Sequence, residues 1–238
     1  MKYFWSIRET IPEGKGYGQF SYKHFIWLAV STLFIFSMVI VYAHLNPLEK
    51  IILKRMISAT LVFIEIMKMI VIKRSKVSLF EYLPVEICSF AGYAIILDSI
   101  WPGNQFFGEI MIVLFLPAAI MAIIYPTSIV LPVFNFFTIH QFLYHDLIIA
   151  YVFSRFLCKE LLLTFKGLWI SIFSILVLVF IIYIIDCLFD KNFMFLKDSY
   201  GNVALGMIEE HTGRGVPYTV GLICFAIFII HVFLSSLN

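Results

Sequence analysis

Long apolar runs separated by short polar punctuation make up most of the chain. Ile170–Ile185, for example, passes without one charged residue. Strict apolar–polar alternation, the mark of a strand, is scarce. A helix that crosses a bilayer needs about 20 apolar residues, and the pattern predicts seven such segments. They are His24–His44, Ile51–Ile72, Leu79–Leu97, Phe106–Ile124, Ile129–Leu157, Gly167–Cys187 and Pro217–Leu234. Ser21 is placed to cap the first. Asn46-Pro47, Trp101-Pro102-Gly103-Asn104 and Tyr125-Pro126-Thr127 read as turns, and Lys73-Arg74-Ser75-Lys76 ends the second segment. A long loop, Leu188–Val216, is rich in Asp, Asn, Lys and Gly. The expectation is an all-α polytopic membrane helix bundle of about seven transmembrane helices. Residues 1–23 form a juxtamembrane segment and residues 24–238 a single domain.

Composition sharpens this. Of 238 residues, 62% are hydrophobic and 13% charged, against about half and a quarter in a soluble domain; mean hydropathy is +0.98. Backbone groups cannot stay unpaired in lipid, so the choice is helices or a closed barrel, and unbroken runs select helices. A net charge of +2 is too small to imply nucleic acid. The four cysteines show no paired spacing that suggests disulfides or zinc. No cofactor or metal motif is present: there is no HExxH, CxxC, P-loop or GxGxxG. The mixed polar first twenty residues do not read as a signal peptide, so the first membrane helix is expected to target the chain. Basic residues number ten on one side and six on the other, and the bias reverses without the long loop and the tail; the orientation stays open.

Ionisable residues inside spans cost about 3 kcal/mol each on insertion scales and normally face the bundle interior. Asn135, Thr138, Gln141 and His145 recur at helical spacing on one face of the fifth segment, flanked by His140 and Asp146. The stripe reads as a proton-handling or substrate-binding face around His145, or as hydrogen bonding that holds helices together. Glu65 and Lys68 suit an ion pair, with Lys68 snorkelling as the alternative. Glu86 and Cys88 follow Pro84 at the start of the third segment. Cys88 is a nucleophile if a histidine takes its proton, and otherwise a small buried hydrophobe. Glu109 is expected at the interface and Asp186 in solvent. Glu65, Glu86, Gln141 and His145 should share one polar interior. Asp190–Leu196 is too apolar for water: it either folds back over that interior or lies in the headgroups.

Four segments together resemble the YwaF-type bacterial integral membrane proteins. Gln19–His24 resembles their F-S-x-x-H entry to the first helix, and Leu83–Cys88 their LPLHLC segment. His140–Asp146 resembles their fifth-helix H-x-x-Q-F-F-x-x-H-G region, and Asp190–Leu196 their N-Y-M-Y/F-L loop. Glu86 stands where that family usually has His, and Asp146 where it often has Gly. That family is distantly similar to the eukaryotic transmembrane protein 164 group, thought to be lipid acyltransferases. The resemblance implies Cys88 as catalytic nucleophile, His145 as general base, membrane lipids as partners and a bacterial plasma membrane location. The residues alone leave three classes open: an intramembrane acyltransferase; a transporter or carrier whose cavity is lined by Glu65, Glu86 and the stripe of Asn135, Thr138, Gln141 and His145; and a receptor-like or structural subunit. The expected substrate-binding residues are Glu65, Glu86, Asn135, Thr138, His140 and Gln141.

Overall fold

The structure, a computed structural model, describes residues 2–162 and 164–235. Its helices are α1 (Tyr22–His44), α2 (Pro47–Arg74), α3 (Ile87–Ile100), α4 (105–124), α5 (Phe136–Leu157), α6 (Phe165–Phe189), α7 (Val203–Thr212) and α8 (Val216–Ser235). No strand occurs among the described residues. Four stretches are long and apolar enough to cross a membrane: Tyr22–His44, Gln105–Val130, Phe136–Leu157 and Phe165–Phe189. Ile87–Ile100 and Val216–Ile229 are shorter apolar helices.

Polar caps set most helix starts by giving first-turn N–H groups an acceptor. Ser21, Asn46, Asn104, Asn135, Thr164 and Asn202 each accept such a bond through a side-chain oxygen. Asn46 and Glu49 complete a reciprocal capping box, with Pro47 in the first turn. Glu86, the N-cap of α3, makes no such bond. Inside α4, Met111–Phe115 is π-helical, and the Leu116 N–H reaches back to the Met111 carbonyl. Pro117 has no N–H to offer the regular ladder, and the wider turn absorbs the mismatch.

α5 is the central element. α1, α2, α3 and α4 all pack on it, and Trp27 of α1 stacks on Phe142 with ring centroids 4.7 Å apart. The most apolar windows of α4 and α5 are 67% and 61% buried, against 11% for α1 and 22% for α6. α1 and α6 therefore turn apolar side chains outward; Leu33, Phe36, Phe173 and Phe180 are all exposed. Apolar surface on that scale belongs against lipid.

Three expectations are corrected. The third helix begins at Ile87, not Leu79: Pro84 biases Leu83 to extended backbone, and 79–82 forms a separate 3-10 turn. The fifth helix begins at Phe136, because Thr127–Val130 forms its own 3-10 turn. The long loop holds α7, capped by Asn202.

Polar contacts gather at two ends of the bundle. At one, Tyr82 donates to Glu9 at 2.9 Å, Arg8 lies over the Tyr200 ring, Lys191 pairs with Glu81, and Asn202 donates to the Tyr125 carbonyl. At the other, Tyr42 donates to Glu160 at 2.6 Å, Lys50 pairs with Glu160, and Arg155 pairs with Asp98.

Candidate functional site

A cavity of about 940 Å³ opens among the helices. Its apolar wall includes Leu114, Pro117 and Met121 of α4, Val179 of α6 and Leu222 of α8. Its polar wall carries Glu65, Glu86, Cys88, His140, Gln141 and His145. Six of the eight candidate residues thus reach one space. Helical spacing explains the α5 contribution: His140, Gln141, Tyr144 and His145 fall on neighbouring positions of one face.

His145 is 7% exposed. One ring nitrogen, Nδ1, lies 2.5 Å from the Gln141 carbonyl oxygen one turn earlier. A carbonyl only accepts, so Nδ1 carries the proton and Nε2 keeps the lone pair. Among the described residues, Nε2 has no protein hydrogen-bond partner. Cys88 is a free thiol, and no hydrogen bond joins it to His145 among the described residues.

Beside this pair, Glu65 forms an ion pair with Lys68, and its other carboxylate oxygen lies 3.3 Å from His140 Nε2. His140 stacks on Tyr144, which meets His145 edge-on. The Tyr144 hydroxyl stands where a Cβ on Gly92 would project. A residue with no side chain is what lets α3 and α5 close here. Gln141 donates to the Ala122 carbonyl at 3.2 Å, which fixes its amide.

The segment after α6 folds back onto the cavity. Phe193, Met194 and Leu196 are buried, and residues 190–197 line it. Met194 and Phe195 both have positive φ, at 55°, which costs energy in a residue with a Cβ. Two carboxylates hold the strained turn: the Phe193 N–H donates to Asp186 and the Met194 N–H to Glu86, at 2.8 and 2.9 Å. Thr219 Oγ1 adds a 2.7 Å bond to the Leu196 carbonyl. Asp186 is therefore buried rather than solvated, since the turn needs its oxygen.

Asn135 and Thr138 do not line the cavity. Asn135 caps α5 and donates to the carbonyls of Tyr3 and Ser6 at 2.7 and 2.8 Å, tying down the N-terminal segment. Thr138 donates to the Pro132 carbonyl. Glu109 is buried rather than interfacial: it accepts from Thr164 and packs against Gly167, where a Cβ would lie 2.6 Å from its carboxyl carbon.

Sequence reasoning missed the Asp98–Tyr151–Arg155 cluster. Asp98, fully buried, accepts from both partners. The signal was present, since an acid and a base in neighbouring spans need each other. The third apolar segment, Leu79–Leu97, stops one residue short of Asp98, and Arg155 sits near the end of the fifth, where a basic residue is expected to reach the interface. Nearby, burial alone would raise the Glu160 carboxyl. Hydrogen bonds from Tyr42 and Lys50, with the Lys54 charge, instead hold it below the usual carboxylate range. His24 joins α1 to α4 as well: it takes the Phe20 N–H on Nδ1 and donates from Nε2 to the Ile123 carbonyl. Among the described residues, no group of three or more His, Cys, Asp or Glu side chains could hold a metal ion.

Apolar outer faces, several membrane-length helices and a cavity among them with one polar wall define a multi-pass helical membrane protein. The TMEM164 family matches the chain over residues 19–235, and the chain belongs to that family. That range contains Glu65, Glu86, Cys88, His140, Gln141 and His145. No curated protein and no solved structure matches the chain.

Proposed function

We propose that the protein is an intramembrane lipid acyltransferase in which Cys88 is the nucleophile and His145 the general base. The observation that carries this is that the two side chains line one large cavity, with the His145 proton fixed on Nδ1 by the Gln141 carbonyl. Nε2 is left to take the thiol proton as Sγ attacks the ester carbon of a phospholipid. The ester C–O bond then breaks. The lysolipid oxygen takes the proton back from Nε2, and the acyl group stays on Cys88 as a thioester. A second lysolipid hydroxyl reverses the sequence, with Nε2 accepting its proton as it attacks the thioester. The apolar walls suit an acyl chain, which needs no polar contacts along its length. The step requires the sulfur and the imidazole to come within hydrogen-bond reach with substrate in place.

The same reading takes the chain as one domain of seven crossings in a bacterial plasma membrane, of the YwaF type. The alternation of polar contacts between the two bundle ends supports that count. α3 has 14 residues, about 21 Å, against a hydrocarbon core of about 30 Å. The folded-back 190–196 segment and the extended residues before Ile87 fill the difference, and irregular backbone at membrane depth is tolerated where it lines a cavity.

The test is transfer of a labelled acyl chain from phosphatidylcholine to a lysophospholipid in vesicles containing the protein. Cys88→Ala should retain the fold and abolish transfer. Undiminished transfer by that variant removes the proposal.

A further inference from the structure

The start of α3 differs from every other capped helix in the molecule. Six helices receive a side-chain oxygen on their first-turn N–H groups. At α3 the N-cap is Glu86, a residue with a suitable oxygen, yet it makes no capping bond. Its carboxylate is committed to the Met194 N–H. The Ser89 and Phe90 N–H groups both bond to the Glu86 carbonyl, at 2.9 and 3.2 Å. The two N–H groups before them, on Ile87 and Cys88, have no protein acceptor among the described residues. First-turn N–H groups have no partner within the helix itself, so these two are free to donate to an acceptor from outside the chain.

The surroundings indicate what that acceptor is. Ile87 and Cys88 both line the 940 Å³ cavity. His145 lines it too, more than nine-tenths buried, with Nε2 unpartnered among the described residues. The same cavity thus offers a thiol, a proton acceptor and two free backbone donors. The helix dipole adds partial positive charge where those donors sit.

We infer that the backbone N–H groups of Ile87 and Cys88 form the oxyanion hole of the acyl-transfer site, a role that rests on the acyltransferase reading above. When Cys88 Sγ bonds to the acyl carbon, the carbonyl π pair moves onto oxygen. The resulting oxyanion is held by the two N–H groups while the thiol proton resides on His145 Nε2. As the carbonyl re-forms, the ester C–O bond breaks and the lysolipid oxygen takes that proton. Using the nucleophile's own N–H keeps donor and attacking atom in register, a geometry found in serine hydrolases. Glu86 is a positioning residue here: held by Met194, it stays off the helix start.

One of the two donors can be removed with little disturbance. Proline is favoured at the first helical position, and Glu86, at φ −74° and ψ 156°, already has the extended conformation that a following proline requires. The full chain is placed in phosphatidylcholine vesicles, and acyl transfer is compared for Ile87→Pro, Ile87→Ala and Cys88→Ala. Ile87→Ala shortens the side chain but keeps the N–H. Transfer by Ile87→Pro should fall roughly 10²–10³-fold below that of Ile87→Ala, the loss typical of one oxyanion donor. If the two differ by less than about threefold while Cys88→Ala is inactive, the oxyanion hole is overturned and the acyltransferase reading stands. If Cys88→Ala transfers normally, both fall. Should Ile87→Pro lose its gel-filtration peak in detergent, an amide-to-ester replacement at residue 87 removes the same N–H, keeps the side chain and is read by the same comparison.

Discussion

The Glu86 carboxylate accepts the backbone N–H of Met194 at 2.9 Å across 108 residues of sequence. That bond joins the start of α3 to the turn that closes over the cavity, and the turn is strained at Met194 and Phe195. Glu86→Ala leaves the Met194 N–H buried and unpaired, which costs about 1–3 kcal/mol. Glu86→Gln still presents an oxygen and should cost less. Thermal unfolding in detergent checks the order, wild type above Gln above Ala; equal melting of Ala and wild type contradicts the bond's role.

Arg155 and Asp98 form a buried ion pair with Tyr151 as a third member. Removing one partner strands the other charge, so Asp98→Asn or Arg155→Met should each destabilise by about 3–5 kcal/mol. The double variant should cost clearly less than the sum. A double-mutant cycle by denaturant unfolding measures the coupling; strict additivity argues against it.

Gly92→Ala drives a Cβ into the Tyr144 hydroxyl. Overpacking of this kind costs about 1–3 kcal/mol. Tyr144→Phe removes the clashing oxygen and leaves the ring carbon at 3.2 Å, so it should restore part of the loss. Stability of the two single variants and the pair decides this: no rescue means that α3 and α5 do not close at Gly92.

Outside the spans, Glu209 is held at about 2 by hydrogen bonds from Ser199 and by the Arg214 guanidinium. A carboxyl depressed on folding stabilises above its unfolded pKa, about 4.3, and loses that contribution as pH falls through the folded value. Wild type should therefore melt above Glu209→Gln near neutral pH, and the gap should close between about pH 4.3 and pH 2. A gap independent of pH contradicts the assignment.

The apolar runs made the long helices legible, since span length and charge avoidance are set by the bilayer rather than by tertiary contacts. The α5 face was legible for a related reason: helical spacing puts His140, Gln141 and His145 together whatever surrounds them. Boundaries were harder. Whether Leu79 or Ile87 begins α3 depends on Pro84 and on the partner Glu86 finds far along the chain. Asn135 looked like part of the α5 stripe because its role as cap and anchor for Tyr3 and Ser6 is a contact between distant segments. Asp98 and Arg155 escaped notice because each lies at a helix end, where a solvated charge is the ordinary expectation.

Transfer by this route requires Cys88 to carry an acyl group between the two half-reactions. Vesicles containing the full chain are incubated with a phosphatidylcholine of defined acyl chains, and the Cys88 peptide is examined by mass spectrometry with and without hydroxylamine. A hydroxylamine-labile acyl adduct should appear on Cys88, form far more slowly in His145→Phe and be absent in Cys88→Ala. Acyl transfer proceeding at its full rate with Cys88 never modified would contradict the account.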